Sequence, residues 1–405
     1  TAVLGIIIFI DDYFTSLAVG QIARPVTDRH KISRAKLSYI IDSTAAPITI
    51  ISPISSWGAF IIGILGSVFI ANGIADIQPI EAFVRMIPMN LYALSAILLV
   101  FIVACMNVDI GQMRVHEERA LKTGELVDPE NSNVPGDLGD TIDSHPKGKV
   151  YHLIVPIIVL VVATVTSMLI TGAIATEGEV TILSMFANTD VNLSLFLGGV
   201  IAVIVAWILH TIHDAPKAKI GDIFIQGMKS MMPAIYILIL AWMIGSIISS
   251  LETGAYLAEV LHNASISELF LPFLFFVISG LMALATGTSW GTFGIMLPIG
   301  AEVAMNIDPG FLLPTLAAVL AGSVFGDHSS PISDTTILSA TGAGANHIDH
   351  VLTQLPYALI AAGVAAIGYL LVGILDMILL PLVITLGITF AIGLAIHMKN
   401  KNKHA

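Results

Sequence analysis

The sequence has 405 residues, of which 56% are hydrophobic and only 11% are charged. Ordinary soluble domains carry roughly 25% charged residues, so this composition excludes a water-soluble globular protein. The formal net charge of -12 at pH 7 does not indicate a basic partner, because many of the acidic residues lie in one hydrophilic connection, residues 109–149, which we expect to be a solvated loop. Cys105 is the sole cysteine and excludes an intrachain disulfide.

Uncharged stretches long enough to cross the roughly 30 Å hydrocarbon core of a bilayer as helices recur along the chain. In chain order they are residues 86–108, 150–176, 191–213, 230–251, 269–301, 309–326, 351–375 and 377–398. A further stretch, residues 37–75, is interrupted by a single charge at Asp42. This pattern predicts an all-α, polytopic transmembrane helical bundle.

The hydrophilic connection divides the chain into two halves. We expect residues 1–108 to hold first-half transmembrane helices, residues 109–149 to form the hydrophilic loop, residues 150–398 to hold second-half helices, and residues 399–405 to form a basic cytoplasmic tail. The chain begins without Met and reaches Asp11 and Asp12 after only ten uncharged residues. We therefore expect it to begin inside a longer membrane protein whose upstream helices are missing.

Lys and Arg residues in short loops predict the orientation, because they are retained on the cytoplasmic side. The basic segments are residues 24–36, 217–229 and 399–403, which we place inside. Residues 252–268 contain no Lys or Arg and suit the outside. The number of crossings then agrees only if residues 269–301 enter and return, as two short pieces or as a re-entrant hairpin.

The stretch 285–292 contains a cluster of hydroxyl residues and glycines that would expose backbone to lipid. Such backbone is tolerated at membrane depth only where it is buried in protein or lines a wet cavity, although a helix-packing patch of small residues is the alternative. Three short motifs recur in the two halves: Ser55-Ser56-Trp57-Gly58 with Thr288-Ser289-Trp290-Gly291, Ser52-Pro53-Ile54-Ser55 with Ser330-Pro331-Ile332-Ser333, and Phe9-Ile10-Asp11-Asp12 with Phe325-Gly326-Asp327-His328. Interrupted apolar segments in both halves indicate a transporter site between repeats, so we predict helix breaks at residues 52–57, 286–290 and 326–331.

Two carboxylates, Asp42 and Asp327, lie inside uncharged stretches and are each followed by a proline and hydroxyl residues. A carboxylate near the centre of a membrane costs at least about 2.5 to 3.5 kcal/mol and usually faces a cavity or a partner. Hard cations prefer oxygen ligands. The hydroxyl side chains that could supply such ligands are Ser43, Thr44, Ser55, Ser56, Thr286, Thr288, Ser289, Ser329 and Ser330. The alternative for either acid is an ion pair or a helix-end cap.

A carboxylate that holds either a proton or Na⁺ provides a complete mechanism for antiport, because burial favours its protonated form and Na⁺ competes for the same oxygens. The further candidates for ion binding or proton coupling are Asp11, Asp12, Asp334 and His328. For the three acids a cap is an equal alternative, and His328 could instead only bond a neighbouring helix. His347, Asp349 and His350 have spacing that could suit a metal ion, but we expect them to lie in a solvated loop.

Long polar motifs of this chain resemble those of the NhaC-type Na⁺/H⁺ antiporters. The motifs are Asp11-Asp12-Tyr13-Phe14, Arg24-Pro25-Val26-Thr27-Asp28, Ser33-Arg34-Ala35-Lys36, Ile41-Asp42-Ser43-Thr44-Ala45-Ala46-Pro47, Ser52-Pro53-Ile54-Ser55-Ser56-Trp57-Gly58, Thr286-Gly287-Thr288-Ser289-Trp290-Gly291 and the run from Gly326 to Thr336. The resemblance extends from residue 1 to about residue 360. It implies a prokaryotic plasma-membrane exchanger with inverted repeats, broken helices and hairpins, in a family that also includes exchangers of malate against lactate.

The resulting hypothesis is a secondary Na⁺/H⁺ antiporter that needs no cofactor. Its expected partners are Na⁺, H⁺ and the lipid bilayer, with Li⁺ or small carboxylates as alternative substrates, a homodimer left open, and no nucleic acid. An exchanger of small organic acids is the alternative, which the absence of Lys and Arg from the spans disfavours. An intramembrane hydrolase with Asp42 and Asp327 as a dyad is the third hypothesis, but its two carboxylates would have to share a water.

Overall fold

The computed structural model describes residues 1–53, 55–75, 77–131, 149, 151–176, 178, 180–212, 220–251 and 267–404. Most of the predicted outside connection 252–268, the pair Lys217 and Lys219, and the later part of the hydrophilic connection lie outside the described residues.

The described residues form α-helices and short 3-10 turns, without any β-strand in that part of the chain. In the first half they are α1 (Ala2–Ile7), α2 (Asp12–Arg29), α3 (Arg34–Thr49), α4 (Ser56–Ala71), α5 (Pro79–Met86), α6 (Leu91–Met106) and α7 (Gly111–Thr123). In the second half they are α8 (Tyr151–Ala175), α9 (Ile182–Ala187), α10 (Val191–Ile212), α11 (Ile220–Ser250), α12 (Leu271–Thr286), α13 (Ser289–Ile307), α14 (Leu312–Ser329), α15 (Asp334–Ala343), α16 (His347–Leu375) and α17 (Leu379–His404). The 3-10 turns are Ile87–Met89, Pro129–Asn131, Glu268–Phe270 and Pro309–Phe311.

Seven segments among the described residues are long and apolar enough to cross a membrane. They are Leu91–Thr123, Ile154–Ala175, Leu193–Ile212, Glu268–Thr286, Pro309–Ser329, His347–Leu375 and Leu379–Lys401, and Ser56–Ala71 is a shorter apolar helix. The predicted all-α, polytopic fold is confirmed. The interrupted stretch 37–75 is in fact two helices, α3 and α4.

Helices α12 and α14 pack with their backbones in contact and carry Asp327 into the interior. A Cβ atom added at Gly322 would collide with the carbonyl oxygen of Phe276, and one at Gly326 would collide with that of Gly280. Small residues permit this close approach between transmembrane helices. As a result the last turn of α14, which contains Asp327, lies beside the junction between α12 and α13.

The chain leaves the helical conformation near all three predicted breaks, but the first begins earlier, after Thr49 at the end of α3, and the other two are shorter than expected. The first break ends at Ser55, which caps α4 by accepting a hydrogen bond from the backbone N–H of Gly58, so residues 56–57 are helical. The second consists of Gly287, whose φ of +70° suits a residue without Cβ, and Thr288.

The third break lies later than predicted, at residues 330–333 rather than 326–331. Residues 326–329 continue α14, and the helix ends at Ser329. The physical reason is Pro331, because the residue before a proline is driven out of the helical conformation. Asp327 is therefore a helical residue in the last turn of α14, not a loop residue.

The first part of the hydrophilic connection is not the solvated loop that we expected. Residues 111–123 form α7, and the buried side chain of Lys36 at the start of α3 pairs with Asp109 at 2.8 Å and with Glu117 at 3.2 Å. Glu117 also accepts the backbone N–H of Ser33 at 2.7 Å. The connection folds against α3 because a buried Lys requires anionic partners, a requirement that local composition does not reveal.

Candidate functional site

The carboxylate of Asp327 is 1% exposed and is held by hydroxyl groups from two helix starts. Ser289, the first residue of α13, donates its hydroxyl to Oδ2 at 2.7 Å and its backbone N–H to the same oxygen at 3.2 Å. Ser333, which caps α15, donates its hydroxyl to Oδ1 at 2.6 Å. Both breaks of the second half thus meet at this single side chain.

Asp11 and Asp12, at the start of α2, are equally buried. Asp11 caps its own helix by accepting the backbone N–H of Phe14 at 3.0 Å, and it also accepts the hydroxyl of Ser56 at 2.8 Å. It therefore combines the cap that we considered with a contact to the first-half break.

Asp12 joins both halves of the chain. Its Oδ1 accepts the indole N–H of Trp57 at 2.9 Å, and its Oδ2 accepts the hydroxyl of Thr335 at 2.8 Å. The next residue, Tyr13, donates its hydroxyl to Asp334 at 2.6 Å. Asp11 adjoins Asp12 in the chain, Asp334 precedes Thr335, and Asp327 accepts from Ser333 in the same turn, so all four acids meet around the starts of α2 and α15. We call these four carboxylates the acid cluster.

Asp42 lies in the middle of α3 in a different environment, fully buried. Its Oδ2 accepts the amide N–H of Gln354 at 2.6 Å, the imidazole N–H of His350 at 3.1 Å and the hydroxyl of Thr336 at 3.3 Å. Its Oδ1 has no hydrogen-bond partner among the described residues. Asp42 and Asp327 share no hydrogen-bonded group in the described part of the chain.

His328 follows Asp327 but faces α3 and α6. Its Nε2 is 2.9 Å from the hydroxyl of Ser43, and its Nδ1 is 2.7 Å from that of Tyr92. Its backbone carbonyl accepts the amide N–H of Gln354 at 2.6 Å. Through these contacts the last turn of α14 is bonded to both the acid cluster and the surroundings of Asp42.

The structure brings three of the nine predicted hydroxyl groups to the titratable side chains: Ser43, Ser56 and Ser289. Four donate to backbone carbonyls, namely Thr44 to Ile40, Ser55 to Thr49 and Ser52, Thr286 to Met282, and Ser330 to Leu284. Thr288 precedes α13 without a side-chain cap, and the hydroxyl of Ser329 has no described partner.

Several residues that contact the acids were not predicted as their partners, namely Tyr13, Trp57, Ser333, Thr335, Thr336, His350 and Gln354, and neither was Tyr92, which bonds His328. Five of these, Tyr13, Trp57, Ser333, Thr335 and Thr336, stand in motifs that carried the family resemblance. Gln354 had a signal of its own, since it is an amide within the uncharged stretch 351–375. The others could not be assigned without the packing.

The expectation that His347, Asp349 and His350 lie in a solvated loop is wrong. They form the first turn of α16, where Asn346 caps the helix, and all three are buried. His347 donates to the carbonyl of Pro331 at 2.7 Å. The helix buries these residues because its first turn packs against α3 and α7.

Asp349 instead belongs to a group with His116 and Asp128, whose ligand atoms lie within 4.8 Å of one another. Arg119 donates to Asp128 at 2.8 Å and lies 2.9 Å from Nδ1 of His116. A guanidinium already supplies positive charge there, so we interpret the group as an ion pair within the hydrophilic connection. The connection contacts α16 where Asn131 donates to Asp349 at 3.0 Å.

The sequence profile described as the Na⁺/H⁺ antiporter family matches residues 50–374. The chain belongs to the Na⁺/H⁺ antiporter family. This membership and the apolar helices identify a multi-pass membrane protein that works as a secondary transporter, and the resemblance seen in the sequence is confirmed.

Two proteins similar to this chain are described as antiporters. A Haemophilus influenzae protein described as uncharacterized is 49% identical over 92% of this chain and 70% of its own length. The malate-2H⁺/Na⁺-lactate antiporter of Bacillus subtilis is 29% identical over 47% of this chain and 39% of its own length. An uncharacterized Na⁺/H⁺ antiporter of Haemophilus influenzae is 33% identical over 35% and 31%, respectively. No solved structure matches this family member significantly.

Proposed function

We propose that this antiporter exchanges Na⁺ for H⁺ at the acid cluster, in the plasma membrane of a prokaryote. The proposal is supported by three carboxylates of this cluster that no Lys or Arg side chain of the described residues contacts. Hydroxyl, backbone and indole groups donate to Asp11, Asp12 and Asp327, and no Lys or Arg side chain of the described residues does so.

Neutral donors reduce the cost of burying a carboxylate but leave its charge in place. Several such charges close together repel one another, which favours the uptake of positive charge. Protons and Na⁺ both supply it at the same oxygens, so binding of one opposes binding of the other. That competition is the coupling an antiporter requires. The nearby hydroxyl oxygens of Ser56, Ser289 and Ser333 could complete an oxygen shell around Na⁺.

A bare cation suits this site better than an organic acid. A carboxylate substrate would bind at a helix N-terminus, where backbone N–H groups and the helix dipole favour negative charge. Two of these positions are already occupied, because Asp327 accepts the backbone N–H of Ser289 at the start of α13 and Asp11 caps α2. Malate and lactate, which appear in the name of the Bacillus subtilis relative, are the second candidate substrates.

The helix ends support the proposed orientation. The C-terminal part of α17 reaches the start of the hydrophilic connection, where Asn400 donates to the carbonyl of Asp109 at 3.0 Å. Lys36 pairs with the side chain of the same residue at 2.8 Å. The basic segments 24–36 and 399–403 thus lie at one end of the bundle, which we propose is the cytoplasmic end. The breaks that surround Asp327 would then lie deeper in the membrane.

The test is transport by the protein in liposomes that contain a pH-sensitive dye. We expect addition of Na⁺ to drive proton release, and malate as its potassium salt to have no effect. Proton movement driven by potassium malate but not by sodium chloride would contradict the proposal and support exchange of organic acids. Li⁺ and K⁺ in parallel trials define the cation selectivity.

A further inference from the structure

Three buried polar atoms without partners belong to Asp42 and to two side chains that donate to it. They are Oδ1 of Asp42, Oε1 of Gln354 and Nδ1 of His350, and none has a hydrogen-bond partner among the described residues. The three residues are at most 1% exposed. Most buried polar atoms in proteins have a partner, so these three unmet atoms require an explanation.

The orientation of Gln354 is fixed by its contacts. Its amide faces the carbonyl of His328 and Oδ2 of Asp42, both at 2.6 Å. A carbonyl oxygen can only accept, so the nitrogen of the amide must point there and the oxygen must point away. Gln354 and Asp42 are therefore joined by one short hydrogen bond from the amide nitrogen to Oδ2. Each side chain keeps a second oxygen, Oε1 of Gln354 and Oδ1 of Asp42, without a partner.

The tautomer of His350 follows from the same logic. Its Nε2 donates to the carboxylate of Asp42 at 3.1 Å, so in the neutral ring Nδ1 carries a lone pair and no proton. His350 and Gln354 are four residues apart on α16, so they lie on the same face of that helix. Because the two ring nitrogens point in different directions, Nδ1 faces away from Asp42 and is not part of its surroundings. The acceptors left without a partner at Asp42 are therefore its own Oδ1 and Oε1 of Gln354.

We propose that Oδ1 of Asp42 and Oε1 of Gln354 form a second binding site for a small monovalent cation, separate from the acid cluster, while His350 holds the carboxylate through its Nε2–H. Such a cation satisfies the carboxylate and amide oxygens and balances the charge of Asp42. The proposal rests on the proposed cation exchange and extends it, because it gives the chain two cation sites. The last turn of α14 connects them, since Asp327 belongs to the acid cluster and the carbonyl of His328 is bonded to Gln354.

The number of Na⁺ ions bound per chain tests this inference, measured by calorimetry on the purified full chain at constant pH. We expect two for the unmodified protein. Asp42→Asn keeps the size of the side chain and removes the charge, and Gln354→Met keeps the length and removes the amide oxygen. Each should bind a single Na⁺. Gln78→Met is the matched control, because Gln78 is exposed and makes no side-chain cap, and it should still bind two.

Asp327→Asn separates this inference from the proposed function. We expect it also to bind a single Na⁺, at the Asp42 site. Two ions bound by both Asp42→Asn and Gln354→Met would overturn the second site and assign the unpartnered acceptors to water. A single ion that is lost in Asp327→Asn and kept in Asp42→Asn would overturn it as well, while the proposed function would stand. If Na⁺ binds but drives no proton release in liposomes, the proposed function fails instead.

Discussion

Trp57 and Trp290 meet edge to face, with their ring centroids 6.0 Å apart. They occupy the same place in the two similar motifs of the halves. Trp57 also approaches Phe293 at 5.4 Å, and Phe60 approaches Trp290 at 4.6 Å. The recurring motifs therefore contact each other, as expected where two repeats meet at a shared site.

The residue before each tryptophan has an equivalent task. Ser56 donates to Asp11 at 2.8 Å, and Ser289 donates to Asp327 at 2.7 Å. The two halves thus each present one hydroxyl, at the start of a helix, to one buried carboxylate. The three recurring motifs are separated by different numbers of residues in the sequence. The matching contacts of Ser56 and Ser289 show how one pair of these motifs corresponds in the structure.

Replacing Ser289 by Ala should raise the Na⁺ concentration for half-maximal exchange about tenfold or more. A hydrogen bond to a charged group contributes about 1.5 to 3 kcal/mol, and about 1.4 kcal/mol corresponds to a factor of ten. Ser323→Ala is the matched control, because that buried hydroxyl donates to the carbonyl of Val319 in its own helix. Dye-loaded liposomes give both values, and equal values for the two variants would remove Ser289 from the site.

Replacing Gly287 by Ala should strongly reduce exchange. Gly287 has a φ of +70°, and a Cβ there would lie 2.7 Å from the carbonyl oxygen of Ile332. Relief of that contact must separate the second break from the third, and thus move Ser289 or Ser333 relative to Asp327.

Gly73→Ala isolates this effect, because Gly73 has a similar φ of +66° and open space around its Cβ position. Both variants carry the strain of an Ala in the left-handed conformation, about 1 to 2 kcal/mol, but only Gly287→Ala has the collision. Initial rates in liposomes should fall in Gly287→Ala and stay near the original in Gly73→Ala. Similar rates would show that the spacing of the breaks does not matter.

The approximate positions of the helix breaks and the buried acids could be predicted from sequence, because Gly, Pro and hydroxyl clusters interrupt helices whatever their surroundings. The partners of each acid could not. Gln354 reaches Asp42 only because α16 packs on α3, and Glu117 is buried only because Lys36 requires a partner.

The third break shows how far such local rules reach. Its prediction covered the whole motif 326–331, because glycine and serine both weaken a helix. The helix instead continues to Ser329, and only Pro331 ends it, by driving Ser330 out of the helical conformation. The close packing of Gly326 on α12 supports the last turn of α14, and the sequence around the motif does not reveal that packing.

Replacing Lys36 by Met should destabilise the protein by about 3 to 5 kcal/mol, because it leaves the buried carboxylates of Asp109 and Glu117 without their cation. Lys122→Met is the control. Lys122 pairs with Glu118 on the surface of α7, where such pairs contribute about 0.3 to 0.5 kcal/mol. Thermal unfolding in detergent compares the two variants. Equal unfolding temperatures of the two variants would mean that this ion pair does not hold the hydrophilic connection against α3.

Na⁺-driven proton release by Asp327→Asn in liposomes shows whether the carboxylate of Asp327 exchanges a proton for Na⁺. The Asn side chain keeps the size and one carbonyl oxygen but has neither the titratable proton nor the charge. Asp376→Asn makes the same chemical change in an exposed turn with a φ of +46°, which Asn tolerates. We predict that Asp327→Asn inserts normally and releases no protons, whereas Asp376→Asn behaves like the unmodified protein. Full proton release by Asp327→Asn would show that a group other than the carboxylate of Asp327 carries the proton.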